Sequence, residues 1–282
     1  MAAGVIPPEK FTFTHCEFFP DPLDLVRHRG LEPVSSDPVD RVFVPEASSP
    51  EEENELDRLW ADYGFRIFLR DLLRHADHAT PENTARFVSP DAARRFLEVL
   101  KQVRLVEHMG DGVYRCRVSG DGVFGVSLER YTARLLQKDF GIPSRYAVRI
   151  RLAGPGDYDV LGALGSRLIY VEVKGAPPKH IQQNEIQAFW ERLCTLQPDL
   201  AVYLVDTHLR MKDKLVPMFT EALQSFRLKE FPNAGIERLE NEIFHMEKRV
   251  FITNSRRSLR ENFRKILKAV TVHRFERGES PE

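Results

Sequence analysis

The sequence is poor in cysteine, has no surplus of either charge and contains no long apolar run. Each shortage excludes something. The three cysteines, Cys16, Cys116 and Cys194, are an odd number with no Cys-x-x-Cys spacing. A disulfide framework is therefore excluded and a structural zinc site disfavoured; buried thiols in a reducing compartment are expected, with Cys194, between Leu193 and Leu196, in the core. Lys+Arg number 41 against 42 Asp+Glu, a net charge of -1. That balance excludes a uniformly basic nucleic-acid coat but not a local basic patch. No window approaches the roughly 20 apolar residues of a membrane span, and the opening residues lack the basic stretch and apolar run of a signal peptide. A soluble, cytoplasmic protein with no membrane contact is expected. No internal repeat, helicase motif or ATPase motif is present. What remains is a chain of 282 residues, 42% hydrophobic, enough for one large domain or two modest ones with packed cores.

Residues 1–50 are dotted with prolines, which break helices and central strands. This predicts an extended segment in which Phe11 to Phe19 and Val42-Phe43-Val44 pack on the body. The run Glu51-Glu52-Glu53 favours a helix start through the macrodipole. Leu56, Leu59, Trp60 and Tyr63, then Phe65, Phe68, Leu69, Leu72 and Leu73, recur at helical spacing. Thr80-Pro81-Glu82 and Ser89-Pro90-Asp91 each carry the cap, first-turn proline and acid of a helix start. The second predicts a helix with Ala93, Phe96, Leu97 and Leu100 inward. Asp111-Gly112, between two strand-like runs, predicts a hairpin.

Three helices followed by a hairpin resemble a winged helix over residues 51–122, above all in SPDAARRFLEVLKQVRLVEHMGDGVYRCRV. The resemblance implies a recognition helix presenting Arg94 and Arg95, with Lys101 beside them and Arg115 and Arg117 on the wing near phosphates. The same residues also suit a solvated face, or a wing used to hold a protein partner or a second copy of the chain.

From residue 123 the pattern changes. Ser127 is expected to cap a helix to about Phe140, stopped by Gly141 and Pro143, with Leu128, Tyr131, Leu135 and Leu136 inward. Strands follow at Arg145 to Leu152, Asp157 to Leu161 and Arg167 to Lys174, then a helix from Ile181 to Leu196. The wholly apolar Leu200 to Val205 suits a strand covered on both faces. Arg249 to Thr253 and Ser258 to Ala269 predict a last strand and a basic helix.

The chemistry lies in Asp157-Tyr158-Asp159-Val160-Leu161 and Tyr170-Val171-Glu172-Val173-Lys174. Strand alternation puts Glu172 and Lys174 on one face. With Gly165-Ser166 as a two-residue turn, Asp159 lies opposite Glu172, at the ~4.5–5.5 Å Cβ spacing of facing residues; a turn beginning at Gly162 would shift that register. Two close carboxylates repel unless a cation joins them, and oxygen-only ligation suits Mg²⁺ or Mn²⁺. A metal and a lysine on one face are tools for phosphodiester hydrolysis.

At these residues, and in the helix-strand-strand-strand-helix-strand order of residues 123–206, the chain resembles the PD-(D/E)XK nuclease superfamily. That resemblance implies an α/β restriction-endonuclease-like mixed sheet flanked by helices over residues 123–282. It makes Asp159 and Glu172 the metal ligands, Lys174 the catalytic lysine and Glu129 the acid of the first helix. Asp157 competes for the aspartate role, and no proline precedes Asp159. Gln183 and Gln187 stand where the superfamily places a supporting polar residue. Lys179 suits a phosphate contact or an ordinary exposed loop lysine equally; His180 offers a general base, although a lone loop histidine is more often incidental. Ten Lys/Arg lie between Lys248 and Arg277 against two acids, and Arg256, Arg257 and Arg260 suit a phosphate backbone. The expected activity is a divalent-metal-dependent nuclease, with DNA favoured over RNA. The alternatives are a non-catalytic DNA-binding or regulatory protein, or an assembly subunit, on the same fold.

Overall fold

In the computed structural model, which describes residues 20–45, 49–151, 157–226 and 235–276, a mixed sheet of eight strands carries helices on both faces. The chain runs α1 (Pro22–His28), β1 (Pro33–Ser35), α2 (Pro50–Ala61), α3 (Tyr63–Arg74), α4 (Pro90–Gln102), then the hairpin β2 (Val106–Gly110) and β3 (Val113–Cys116). There follow α5 (Val123–Phe140), β4 (Ser144–Ile150), β5 (Tyr158–Leu164), β6 (Arg167–Lys174), a 3₁₀ turn (Pro178–His180), α6 (Gln183–Leu196) and β7 (Leu200–Val205). The chain continues through α7 (Leu215–Phe226), β8 (Glu237–Glu240), β9 (Ile243–Met246), β10 (Val250–Asn254) and α8 (Leu259–Glu276). The sheet order is β1-β4-β5-β6-β7-β10-β9-β8. β4, β5 and β6 are antiparallel neighbours, while β7 runs parallel to β6 and to β10. This α/β arrangement is consistent with a restriction-endonuclease-like fold. Among the described residues, no helix is long and apolar enough to cross a membrane.

Strand alternation divides the core. Val160, Ile169, Val171, Val173, Val202 and Leu204 point to α5 and join a cluster that continues through Trp60, Phe68 and Leu97. Leu161, Leu168, Tyr170, Ala201, Tyr203 and Val205 point to the other side, against Phe189 and Trp190 of α6 and Phe219 of α7. The Trp60 ring lies 5.8 Å from Phe124 and 5.9 Å from Tyr131, so α2 docks on α5 through aromatic contacts.

The β2–β3 hairpin turns at Asp111 and Gly112, both at positive φ, as an Asp-Gly turn demands. Four expectations need correction. Pro22 opens a helix rather than preventing one, because Asp21 caps it by accepting from the Leu23 N–H and a first-turn proline surrenders no hydrogen bond. Thr80-Pro81-Glu82 makes only a turn, closed by reciprocal bonds between Thr80 and Asn83. Ser127 lies inside α5, whose N-cap is Gly122; its hydroxyl donates to the Val123 carbonyl and accepts from the Phe43 N–H. Cys194 is exposed, whereas Cys116 is buried. Val42 and Phe43 are buried as expected; Cys16 and Phe11 to Phe19 lie outside the described residues, as does Arg277.

An ion cluster fixes α2 to α5. Arg134 donates to both oxygens of Asp57 at 2.8 Å, and Lys138, one turn further on, donates to Oδ2 at 2.6 Å. Burial alone would raise the Asp57 pKa, but the Arg134 and Lys138 bonds outweigh it and hold it below the ordinary carboxylate value. A depressed acid stabilises the fold above its unfolded pKa and ceases to do so as pH falls through the folded one. Asp57→Asn should therefore cost about 1–2 kcal/mol at pH 7, discounted for partial exposure. The deficit against wild type should shrink as pH drops below the ordinary aspartate value, read by urea unfolding at a series of pH values. A pH-independent deficit would contradict the assignment.

Candidate functional site

The β5–β6 ladder runs from Leu164↔Arg167 to Val160↔Val171 around a turn with Gly165 at φ 59°. The Gly165-Ser166 turn is thus the one formed, and its register brings Asp159 opposite Glu172. Here the ladder opens. The Asp159 Oδ2 atom accepts the Val173 N–H at 2.6 Å, so a side chain takes the bond a strand partner would have made. Across from Asp159 in β4, between the pairs Tyr146↔Val160 and Val148↔Tyr158, Ala147 sits at φ 48°. For a non-glycine residue that left-handed backbone costs on the order of 1 kcal/mol or more, and it concentrates at sites that need it.

Glu172 and Lys174 share a face, as alternation requires, but this face is also covered. Glu172 is 1% exposed and Asp159 8%. The buried Glu172 carboxylate is met from three directions. Lys174 Nζ lies 2.8 Å from Oε1, Arg192 Nη1 donates to both oxygens at 3.0 and 2.9 Å, and the Tyr170 hydroxyl donates to Oε2. Lys174 also lies 3.4 Å from Glu185 Oε2. Burial opposes the Lys174 charge, yet Glu172 and Asp159 beside it outweigh burial and raise its pKa. Arg192 is raised by the same carboxylates against the same penalty.

At the remaining acids compensation is incomplete: Lys174 acts on both and Arg41 on Glu129, but neither overcomes burial and repulsion. Burial, then the charges of Glu172 and Glu129, push Asp159 well above the carboxylate range. Burial, then Asp157 and Glu172, push Glu129 up to about 8, and its Oε2 is buried without a hydrogen bond. A raised acid beside an orphaned oxygen marks a place that lacks positive charge. The chemistry of Glu129 and Asp159 fits a hard divalent cation. Glu172 fits one only if Lys174 and Arg192 give way, and among the described residues no three acid, histidine or cysteine side chains are gathered to hold a metal as they stand.

The structure thus brings Asp159, Glu172, Lys174 and Glu129 together, with Asp157 half-exposed just before β5 and its charge felt at Glu129. The glutamines are not the support. Gln183 donates to the Met218 carbonyl of α7, and Gln187 is exposed. Support from α6 comes instead from Glu185 and Arg192. Sequence reasoning missed both, although Glu185, Phe189 and Arg192 are spaced by four and three residues on one helix face. Lys179 is exposed at the 3₁₀ turn. Arg94 pairs with Asp91 and Glu82, Arg95 is exposed, and Arg260 lies 3.5 Å from Asp139. Arg256 and Arg257 line a pocket of about 340 Å³ with Arg210 and Arg238.

If Arg192 compensates the buried Glu172 charge, Arg192→Met should cost about 2–3 kcal/mol, less than the usual cost of a broken buried pair because Lys174 remains. Adding Glu172→Gln should recover part of that loss in urea unfolding. Strictly additive losses would show that the two residues are not coupled.

No known protein-family model matches the chain, and no curated protein does. Among solved structures, the chain is similar to protein VC1899 from Vibrio cholerae at 14% identity and a TM-score of 0.43, over 73% of this chain and 61% of that one. It is also similar to Can2 from Sulfobacillus thermosulfidooxidans, solved in complex with cyclic tetra-adenylate, at 11% identity and a TM-score of 0.40, over 74% and 60%. The chain therefore spans about three fifths of the length of each.

Proposed function

We propose that the protein is a divalent-metal-dependent nuclease that hydrolyses phosphodiester bonds. The observation that carries this reading is the acid pair Asp159 and Glu129, raised by burial and by neighbouring carboxylates, beside a half-buried lysine held cationic at the end of β6. Bound at Asp159 and Glu129, Mg²⁺ or Mn²⁺ would neutralise that pair and polarise a phosphoryl oxygen. Lys174 supplies an ammonium to the charge that develops on a pentavalent phosphorus. Glu172 orients Lys174, and Tyr170 and Arg192 in turn hold Glu172. Burial keeps bulk water from weakening these charges. The pocket with Arg210, Arg238, Arg256 and Arg257 gives the phosphate backbone a basic surface. DNA contact by Arg94 and Arg95 of α4 is part of the same proposal.

One observation favours a second reading. Both Glu172 oxygens are already engaged by protein cations, which suits a nuclease-like fold whose charge network only holds the sheet end together. Catalysis separates the two. Lys174→Ala should lower Mg²⁺-dependent cleavage of a nucleic-acid substrate by about 10²–10³-fold or more while leaving substrate affinity in EDTA unchanged. Asp159→Asn should abolish the heat of Mn²⁺ binding in calorimetry. A Lys174→Ala protein as active as wild type, or wild type that neither cleaves nor binds Mn²⁺, would select the second reading.

The basic pocket makes its own prediction. Replacing both Arg256 and Arg257 by alanine should weaken binding to all sequences alike. The slope of log K against log salt should become shallower by about 0.9 for each duplex phosphate that is no longer neutralised. An unchanged slope would mark the pair as a solvated surface.

A further inference from the structure

A cleft of about 640 Å³ opens between α3 and the loop that leaves β6, and its wall begins with Gly175, the residue after Lys174. It is of the size that small organic groups occupy. The chain passes tightly here: a Cβ on Gly175 would stand 3.0 Å from the Phe124 ring. Behind the wall, α3 is bolted to the sheet by a buried ion pair. Arg66 Nε donates to Asp206 Oδ1 at 3.0 Å and Arg70 Nη2 to Oδ2 at 2.7 Å, while the Asp206 N–H donates to the Lys174 carbonyl at 2.8 Å. The cleft and the cluster therefore share one rigid strand end.

Three features of the lining point to a ligand. Phe87 is 62% exposed and Leu209 57%, although large apolar side chains are otherwise mostly buried. The Arg86 guanidinium lies 5.0 Å over the Phe87 ring, and Arg70, Arg74 and Lys179 are further cations of the lining, the first two engaged by Asp206 and Asp71. Asp71, only 3% exposed, is among the lining residues; its Oδ1 is taken by Arg74 and its Oδ2, itself buried, makes no hydrogen bond. An exposed ring for stacking, cations for phosphate and an unused buried acceptor for an N–H donor are what an unpaired nucleotide requires.

We propose that this cleft seats a nucleobase of single-stranded nucleic acid, delivering the adjoining phosphate toward the Lys174 cluster; this rests on the nuclease reading above. The base stacks on Phe87, Asp71 Oδ2 accepts from its polar edge, and Arg86 and Lys179 meet its phosphates. A paired base does not offer its faces in this way, so single strands are preferred to duplex.

The test is fluorescence anisotropy of the full chain in EDTA. The probes are labelled single strands of about 12 nucleotides, within the span such surfaces cover, as DNA and as RNA, and the same sequence as duplex. Wild type should prefer single strands. Phe87→Ala, at an exposed position, should keep the wild-type melting temperature and weaken single-strand binding about tenfold, in the range that one base stack supplies, with duplex binding unchanged. Asp71→Asn should alter the preference among homopolymers; if that buried variant does not fold, Phe87→Ala alone decides. Equal loss on single strands and duplex, or no loss on either, overturns the proposal and leaves the cleft for another ligand class. Because binding is read without metal, a protein that never cleaves but shows the Phe87 effect refutes the nuclease reading and not the cleft.

Discussion

Glu172 is a carboxylate on the inner face of a central strand, and removing it from water is expensive unless cations come to it. The structure supplies them from the strand itself and from the helix that covers it. Lys174 lies two residues onward on the same face, Tyr170 two residues back, and Arg192 descends from α6. The docking of α6, the path of the chain after β6 and the placement of the lysine are therefore solutions to one electrostatic problem. Glu185 joins the same arrangement, since it caps α6 by accepting from the Gln182 N–H at 2.9 Å while its other oxygen faces Lys174.

A second buried charge stands at the end of the neighbouring strand. Asp206 is fully buried after β7 and is satisfied by Arg66 and Arg70 of α3. The two networks meet through the backbone bond from Asp206 to Lys174. One fixes α6 to the strand ends and the other fixes α3. Between them the acids Asp159 and Glu129 are only partly compensated, by Lys174 and, at Glu129, by Arg41. Breaking a buried pair of this kind leaves a bare charge, which is why such networks are rigid. That rigidity is what a preorganised hydrolytic site requires, and it gives the cleft beside Gly175 a fixed wall.

The β5–β6 hairpin was legible in the sequence because alternation and a two-residue turn determine which side chains face one another. Val160 and Val171 pair as that argument requires. The apolar run of β7 likewise announced a strand covered on both sides. What local pattern did not show depends on distant contacts. Ser127 resembles a cap, but its hydroxyl serves Phe43, far away in sequence. Gln183 sits where a site glutamine was expected, yet α7 claims it, and α7 and the β8–β9 hairpin were themselves not anticipated, although Leu215, Phe219 and Ala222 carry a helical stripe. Thr80-Pro81 has the chemistry of a helix start without room for a helix before Pro90. Arg192 was overlooked because an arginine on a helix is ordinarily a surface residue; only the buried acid beneath it makes it part of the site.

The central claim is that Asp159 and Glu129 form a cation site beside the Lys174–Glu172 pair. The most direct measurement is an anomalous difference map from crystals grown with Mn²⁺. The account predicts a peak within bonding distance of carboxylate oxygens of both Asp159 and Glu129, and its loss in Asp159→Asn crystals. A map with no peak there at saturating Mn²⁺ would contradict it.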